Sequence, residues 1–245
     1  MGILKFKGRP FYGQAIGILM MDSVVPRIPG DIGNAFTFDF PVRYRVVKGA
    51  TVKNIIHNPD RGKLDDFLQG AKELEAEGVR AITTSCGFLC WFQEELAAAV
   101  DIPVFTSSLL QIPMVWRMLG KKKKIGVLAA NSSTLSPDHL AAVGVTSEIP
   151  LVLCGADKAP AFNRTFAHDG SIFNFDEVCA SVVKMVSDML TEEPDIGAIV
   201  CEGSNFAIFR HEVQKETGIP FFDIVTMTKY IHNAVMPSNL PEGWF

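Results

Sequence analysis

Two strings recur along the chain, and in the same order. Ile16-Gly17-Ile18-Leu19, followed two residues later by Asp22-Ser23, matches Ile125-Gly126-Val127-Leu128, followed at the same spacing by Asn131-Ser132, an offset of 109 (125 − 16). Ala81-Ile82 through Ile102-Pro103-Val104-Phe105 then lies without gaps on Ala198-Ile199 through Ile219-Pro220-Phe221-Phe222, an offset of 117 (198 − 81). Repeats kept in one order require two halves of like topology. Each copy runs from an apolar strand into a turn or a helix. An α/β fold is therefore expected, with two pseudo-symmetric lobes, each a parallel sheet flanked by helices, and the active site between the lobes.

The periodicities place the elements. Short runs rich in Ile, Val and Ala at 15–21, 79–85, 124–130, 151–154, 196–202 and 220–225 read as strands buried on both faces. Stretches of helical spacing at 62–77, 88–100, 108–119, 175–191, 205–217 and 226–235 read as the helices between them. A first lobe formed by 1–120 plus 226–245 and a second formed by 121–225 follow, the last helix returning to the first lobe. The stretch 23–48 breaks this rhythm with Pro26, Pro29, Gly30, Gly33 and Pro41, and a strand is expected at 42–47. A loop this long, carrying Arg27, Asp31, Asn34, Thr37 and Arg43, reads equally as a binding loop or as a surface insertion.

Composition narrows the partners. With 48% hydrophobic residues the chain has ample material for a core, and a net charge of −4 offers no broad basic field for nucleic acid or anionic membrane. A small molecule is the expected partner. The opening Met1 to Pro10 is charged throughout, and no apolar run approaches the ~18 residues of a membrane span, so a cytoplasmic protein is expected. The five cysteines form no Cys-x-x-Cys pair, and no histidine lies near Cys86 and Cys90, so neither a disulfide framework nor a metal site is expected. Glycine-rich phosphate loops and a nucleophile-elbow serine are also missing.

The superposition of the halves picks out a site. Cys86 falls on Gly203, Gly87 on Ser204 and Phe88 on Asn205, each at the carboxyl end of a strand where a helix is expected to begin. Ligands of open α/β sheets bind there. A thiol at a helix start sits beside unpaired N–H groups, a setting that favours thiolate. The N–H groups of Gly87 and Phe88 and the hydroxyls of Thr84 and Ser85 are candidate donors to a substrate carboxylate, with Ser204 and Asn205 as counterparts from the other lobe. Asp22 and Asn131 cap equivalent strands. Asp22 is the candidate second acid or base, while Asn131 and Ser132 are further candidate substrate contacts. If the strand persists, Glu202 points to the opposite face, and Cys201 is expected to lie in the core.

The pairing of Thr83-Thr84-Ser85-Cys86-Gly87-Phe88 with Val200-Cys201-Glu202-Gly203-Ser204-Asn205 resembles the two half-sites of the aspartate/glutamate racemase superfamily, a group similar to hydantoin racemases, maleate isomerases and arylmalonate decarboxylase. Pro26-Arg27-Ile28-Pro29-Gly30-Asp31-Ile32-Gly33-Asn34 followed by Phe40-Pro41-Val42-Arg43-Tyr44 resembles one branch of that group. The resemblance implies two cysteines facing the substrate from opposite sides, no metal or pyridoxal cofactor, and a homodimer. Cys86 matches the first cysteine, and Gly203 stands where the second would be. The expected function is a cofactor-independent racemase or isomerase acting at the α-carbon of a small carboxylate, with Cys86 as thiol acid/base. A one-thiol decarboxylase of malonate-type acids, a Cys86 nucleophile isomerising an unsaturated diacid and a non-catalytic carboxylate-binding protein remain open beside it.

Overall fold

The computed structural model describes residues 12–59, 61–166 and 173–236. The segment Met1 to Pro10 and the ends of the expected first lobe lie outside the described residues. In chain order the elements are β1 Ile16–Met21, β2 Val42–Val47, α1 Leu64–Glu77, β3 Ala81–Thr84, α2 Gln93–Ala98, β4 Val104–Phe105, α3 Ile112–Met118, β5 Lys124–Ala129, α4 Pro137–Ala141, β6 Leu151–Gly155, α5 Pro160–Phe166, α6 Phe175–Glu192, β7 Ile196–Cys201, α7 Arg210–Thr217, β8 Phe221–Phe222 and α8 Ile224–Val235.

The strands form two four-stranded sheets of identical topology, β2-β1-β3-β4 and β6-β5-β7-β8, with every pair parallel. The sequence repeat is the repeat of these sheets. Ile16 pairs with Ala81 and Val42, and Ile125, 109 residues on, pairs with Ala198 and Leu151. At the outer edge Ile82 pairs with Val104 and Ile199 with Phe221, both displaced by 117. The repeated glycine of β1 and β5 has a packing cause. A Cβ on Gly17 would stand 3.0 Å from Leu74 of α1, and one on Gly126 would stand 3.0 Å from Met189 of α6, so each glycine lets a helix lie close on its sheet.

β1 is buried along its whole length, as a parallel strand covered on both faces must be. In the first lobe Leu19 and Ile82 meet Phe67, Ala71 and Leu74 of α1; in the second, Leu128 and Ile199 meet Val182, Val186 and Met189 of α6. The first core continues across the lobe boundary, because Leu109, Ile112 and Val115 pack with Ile125, Val127 and Val200 of the second sheet. Ile224 and Val225 of α8 pack with Ile16, Ile18, Ala81 and Phe105 of the first sheet. Among the described residues no helix is long and apolar enough to cross a membrane.

Two expectations about local structure need correction. The segments 88–100, 108–119 and 205–217 are not single α-helices: each opens with a 3-10 segment, Gly87–Phe92, Ser108–Gln111 and Ser204–Phe209, before the α-helix starts. These openings lie between the lobes and are buried on almost every side, so the one-sided apolar spacing of a surface helix does not govern them. Short helices also form at α4 and α5, which the spacing did not reveal because each spans less than two full turns and starts at a proline.

Candidate active site

β3 ends at Thr84 and β7 at Cys201, and the residues that follow them face one another across the lobe boundary. Ser204 Oγ donates to the Ser85 carbonyl at 2.7 Å, and Ser108 Oγ donates to the Cys201 carbonyl. Asn205 Nδ2 donates to Asp31 Oδ2 at 2.6 Å, tying the long loop after β1 to the second lobe. A cleft enclosing about 610 Å³ of empty space, its mouth included, lies at this seam.

Of the residues singled out in the sequence, Ser85, Cys86, Gly87, Gly203, Ser204 and Asn205 line the cleft. Thr84, Phe88, Asn131, Ser132 and Asp22 are placed elsewhere. Thr84 Oγ1 bonds backbone, reaching the Thr106 carbonyl at 2.7 Å and the Cys86 carbonyl at 2.9 Å. Phe88 is buried, its ring edge-on to His139 at 5.2 Å between centroids. Asn131 Oδ1 accepts from Ser133 N at 3.0 Å and so caps its own turn, and Ser132 Oγ sits 2.6 Å from where a Cβ on Gly155 would be. Asp22 also folds back, accepting from Gly49 N at 3.0 Å and pairing with Lys48 at 3.6 Å. The Gly49 N–H foremost, with Lys48, holds its carboxyl below the usual carboxylate range.

The electrostatics of Cys86 reverse the sequence expectation. The thiol is 6% exposed, and burial, reinforced by the nearby charge of Glu202, pushes its pKa far up. The Phe88 and Leu89 N–H groups and Arg27 pull the other way and are outweighed. Desolvation penalises the thiolate more than one turn of 3-10 helix rewards it. The resting group is a thiol.

Glu202 is also not where strand alternation puts it. β7 stops at Cys201, and both Glu202 N and Gly203 N reach back to the Leu128 carbonyl, at 2.8 and 3.3 Å. The backbone has left the strand, and the side chain lines the cleft at the seam. Glu202 Oε2 accepts from Ala130 N at 2.8 Å, while Oε1 is buried without a hydrogen-bond partner. Burial raises the carboxyl to about 7, against the pull of the Ala130 and Phe88 N–H groups. The only sequence signal was its place next to Gly203, a lone acid closing an apolar strand. Arg27 and the rings of Phe162 and Phe166 line the cleft as well. Arg27 Nη1 donates to the fully buried Asp31 at 2.9 Å, so the loop 23–48 brings a fixed cation to the site. Cys201 is buried outside the cleft, in the second-lobe core. Among the described residues no group of His, Cys, Asp and Glu is placed to hold a metal ion.

No protein-family model matches the chain. Among curated proteins, a dimethylsulfoniopropionate lyase of Durusdinium sp. clade D is 29% identical over 222 residues, covering 88% of this chain and 73% of that protein. Dimethylsulfoniopropionate lyase 7 of Emiliania huxleyi is 28% identical over 235 residues, 91% of this chain and 67% of that one. The solved structures it resembles include a glutamate racemase of Bacillus anthracis, with TM-score 0.59, 13% identity and coverage of 90% and 82% of the two chains. They also include a Gly74Cys mutant of arylmalonate decarboxylase, with TM-score 0.57, 15% identity and coverage of 90% and 92%. The expected racemase or isomerase function is corrected by these relatives, which are named lyases of dimethylsulfoniopropionate. The fold is the two-lobed α/β fold of the aspartate and glutamate racemases and of arylmalonate decarboxylase, and the sequence relatives are dimethylsulfoniopropionate lyases.

Proposed function

We propose that this chain is a carbon–sulfur lyase acting on dimethylsulfoniopropionate or a close β-sulfonium carboxylate. One observation carries the reading beside the relatives: the cleft presents a single thiol, Cys86, faced by Gly203. Racemisation needs a second proton carrier on the opposite face. Elimination does not. Removal of the proton next to the carboxylate lets the C–H electrons form the double bond while the C–S electrons leave with sulfur. The sulfonium departs as neutral dimethyl sulfide, so no acid is required for the leaving group, and acrylate remains.

The cleft's residues suit the two ends of such a substrate. Arg27 spends one donor of its guanidinium fork on Asp31 and offers the rest to the carboxylate, where negative charge grows as the α-proton leaves. Phe162 and Phe166 give the cleft an apolar aromatic wall, against which a sulfonium cation with no proton to donate can lie. Ser85, Ser204 and Asn205 orient the chain between them, and Cys86 takes the α-proton.

The test is direct. Purified protein incubated with dimethylsulfoniopropionate should release dimethyl sulfide, read by headspace gas chromatography, with acrylate rising in step by proton NMR. Cys86→Ala should stop both. No sulfide from the wild-type protein over a panel of β-sulfonium and β-thioether carboxylates would sink the proposal.

A further inference from the structure

Cys86 leaves one requirement unmet: a buried thiol is a poor base until something removes its own proton. We propose that Glu202 is that proton acceptor, its carboxylate reaching from the second lobe against Gly87 to take the Cys86 proton and so arm the thiol. The inference deepens the elimination reading and rests on it for the fate of the α-proton.

Three features of the seam carry it. Glu202 lines the same cleft as Cys86 and is 1% exposed, so the carboxylate is a component of the site with little access to water. One oxygen is anchored on Ala130 N, while Oε1 is buried without a full hydrogen bond, the Phe88 N–H adding only a favourable pull on the carboxylate. A glutamine could accept the Ala130 bond without bringing a charge into the interior. The approach is also guarded by a glycine: a Cβ on Gly87 would stand 2.7 Å from Oε1 and 2.3 Å from the Glu202 carbonyl oxygen. The residue next to the thiol thus has no side chain where the carboxylate arrives.

The protons balance. The Cys86 Sγ–H proton passes to Glu202 Oε1, the thiolate takes the α-proton, and the substrate's C–H and C–S electron pairs go to the double bond and to the sulfide. Cys86 ends as a thiol and Glu202 as an acid, which returns its proton to water. Burial raises the Glu202 carboxyl to about 7 and the Cys86 thiol much further, so the thiol keeps its proton at rest and passes it to the carboxylate only transiently, as the α-proton leaves the substrate. The other titratable groups that act on this pair are the Cys90 and Cys201 thiols, with Arg27 and His57 on the cleft wall.

The experiment reads the thiol without needing turnover. Wild-type protein is treated with iodoacetamide across about pH 5.5 to 9, and modification of Cys86 is followed by peptide mass spectrometry. The expected rate rises through an inflection near neutrality. Glu202→Gln should erase that inflection and slow the reaction at about pH 8 by on the order of tenfold or more, whereas Glu202→Asp should retain an inflection. A Gln variant with the wild-type profile overturns the inference, as does wild-type Cys86 that shows no inflection below about pH 9 or no reaction at all. Sulfide release with a Glu202-independent thiol profile would defeat this inference alone. A Glu202-dependent thiol in a protein that releases no sulfide would defeat the elimination reading and leave the activation of Cys86 standing.

Discussion

Gly87→Ala tests whether the lobes are held as closely as the seam requires. The added methyl would meet three atoms of one residue: the Glu202 carbonyl oxygen at 2.3 Å, Oε1 at 2.7 Å and the carbonyl carbon at 2.9 Å. Two of these are backbone atoms directly after β7, whose neighbouring N–H groups are tied to Leu128, so relief requires the seam to open. Overpacking of this kind costs about 1–3 kcal/mol, and a contact against backbone belongs at the upper end. Fewer unfolded conformations for alanine return at most about 1 kcal/mol, leaving a net loss of about 2–3 kcal/mol. Gly203→Ala is the internal control. Its methyl would meet ring carbons of Phe206 at 2.9 and 3.0 Å and the Ala130 nitrogen at 3.6 Å, and a ring can tilt. That substitution should cost about 1 kcal/mol or less. Urea unfolding of both variants reads the difference, and the melting temperature of Gly87→Ala should fall by roughly 4–12 °C. A Gly87→Ala protein within about 0.5 kcal/mol of wild type, or one more stable than Gly203→Ala, would refute the close cross-lobe contact.

Glu202 also makes stability depend on pH. With its carboxyl raised from 4.5 to about 7, the native state binds more protons than the unfolded chain between those values, so this residue's contribution falls as pH rises through the window, by about 3 kcal/mol in all. Asp22 and Glu77, both lowered, act in the opposite sense at more acid pH. Comparing urea unfolding of wild type and Glu202→Gln at about pH 5 and 8 isolates the Glu202 part, and equal slopes would contradict it. Arg27→Met should raise KM for a carboxylate substrate on the order of tenfold to a hundredfold, the value of a lost charge-assisted hydrogen bond, and should spare a substrate whose carboxylate is amidated. Ser204→Ala deletes the 2.7 Å bond to the Ser85 carbonyl and should cost about 1–2 kcal/mol in chemical unfolding, and an unchanged midpoint would contradict it.

The chain's own repeats determined the architecture. Offsets of 109 and 117 relate β1, β3 and β4 to β5, β7 and β8, because a strand's apolar pattern and its helix-facing glycine are local properties written residue by residue, whereas the equivalence of β2 and β6 shows only in the sheet pairing. The same superposition marked Cys86 and Gly203, since the carboxyl end of a parallel strand is a fixed place in the fold. Local pattern did not reach the chemistry. Whether Cys86 rests as thiol or thiolate depends on how much water and charge surround it, and those come from the other lobe. Alternation fixes the face of Glu202 only while the strand lasts, and β7 ends at Cys201, with Glu202 N and Gly203 N bonded to the Leu128 carbonyl. Arg27, on a loop of the first lobe, and the Phe162–Phe166 pair of the second lie far from Cys86 in sequence and share its cleft only in the folded chain. Burial, pKa and the convergence of groups at a seam are set by contacts between distant segments, so they belong to the tertiary structure.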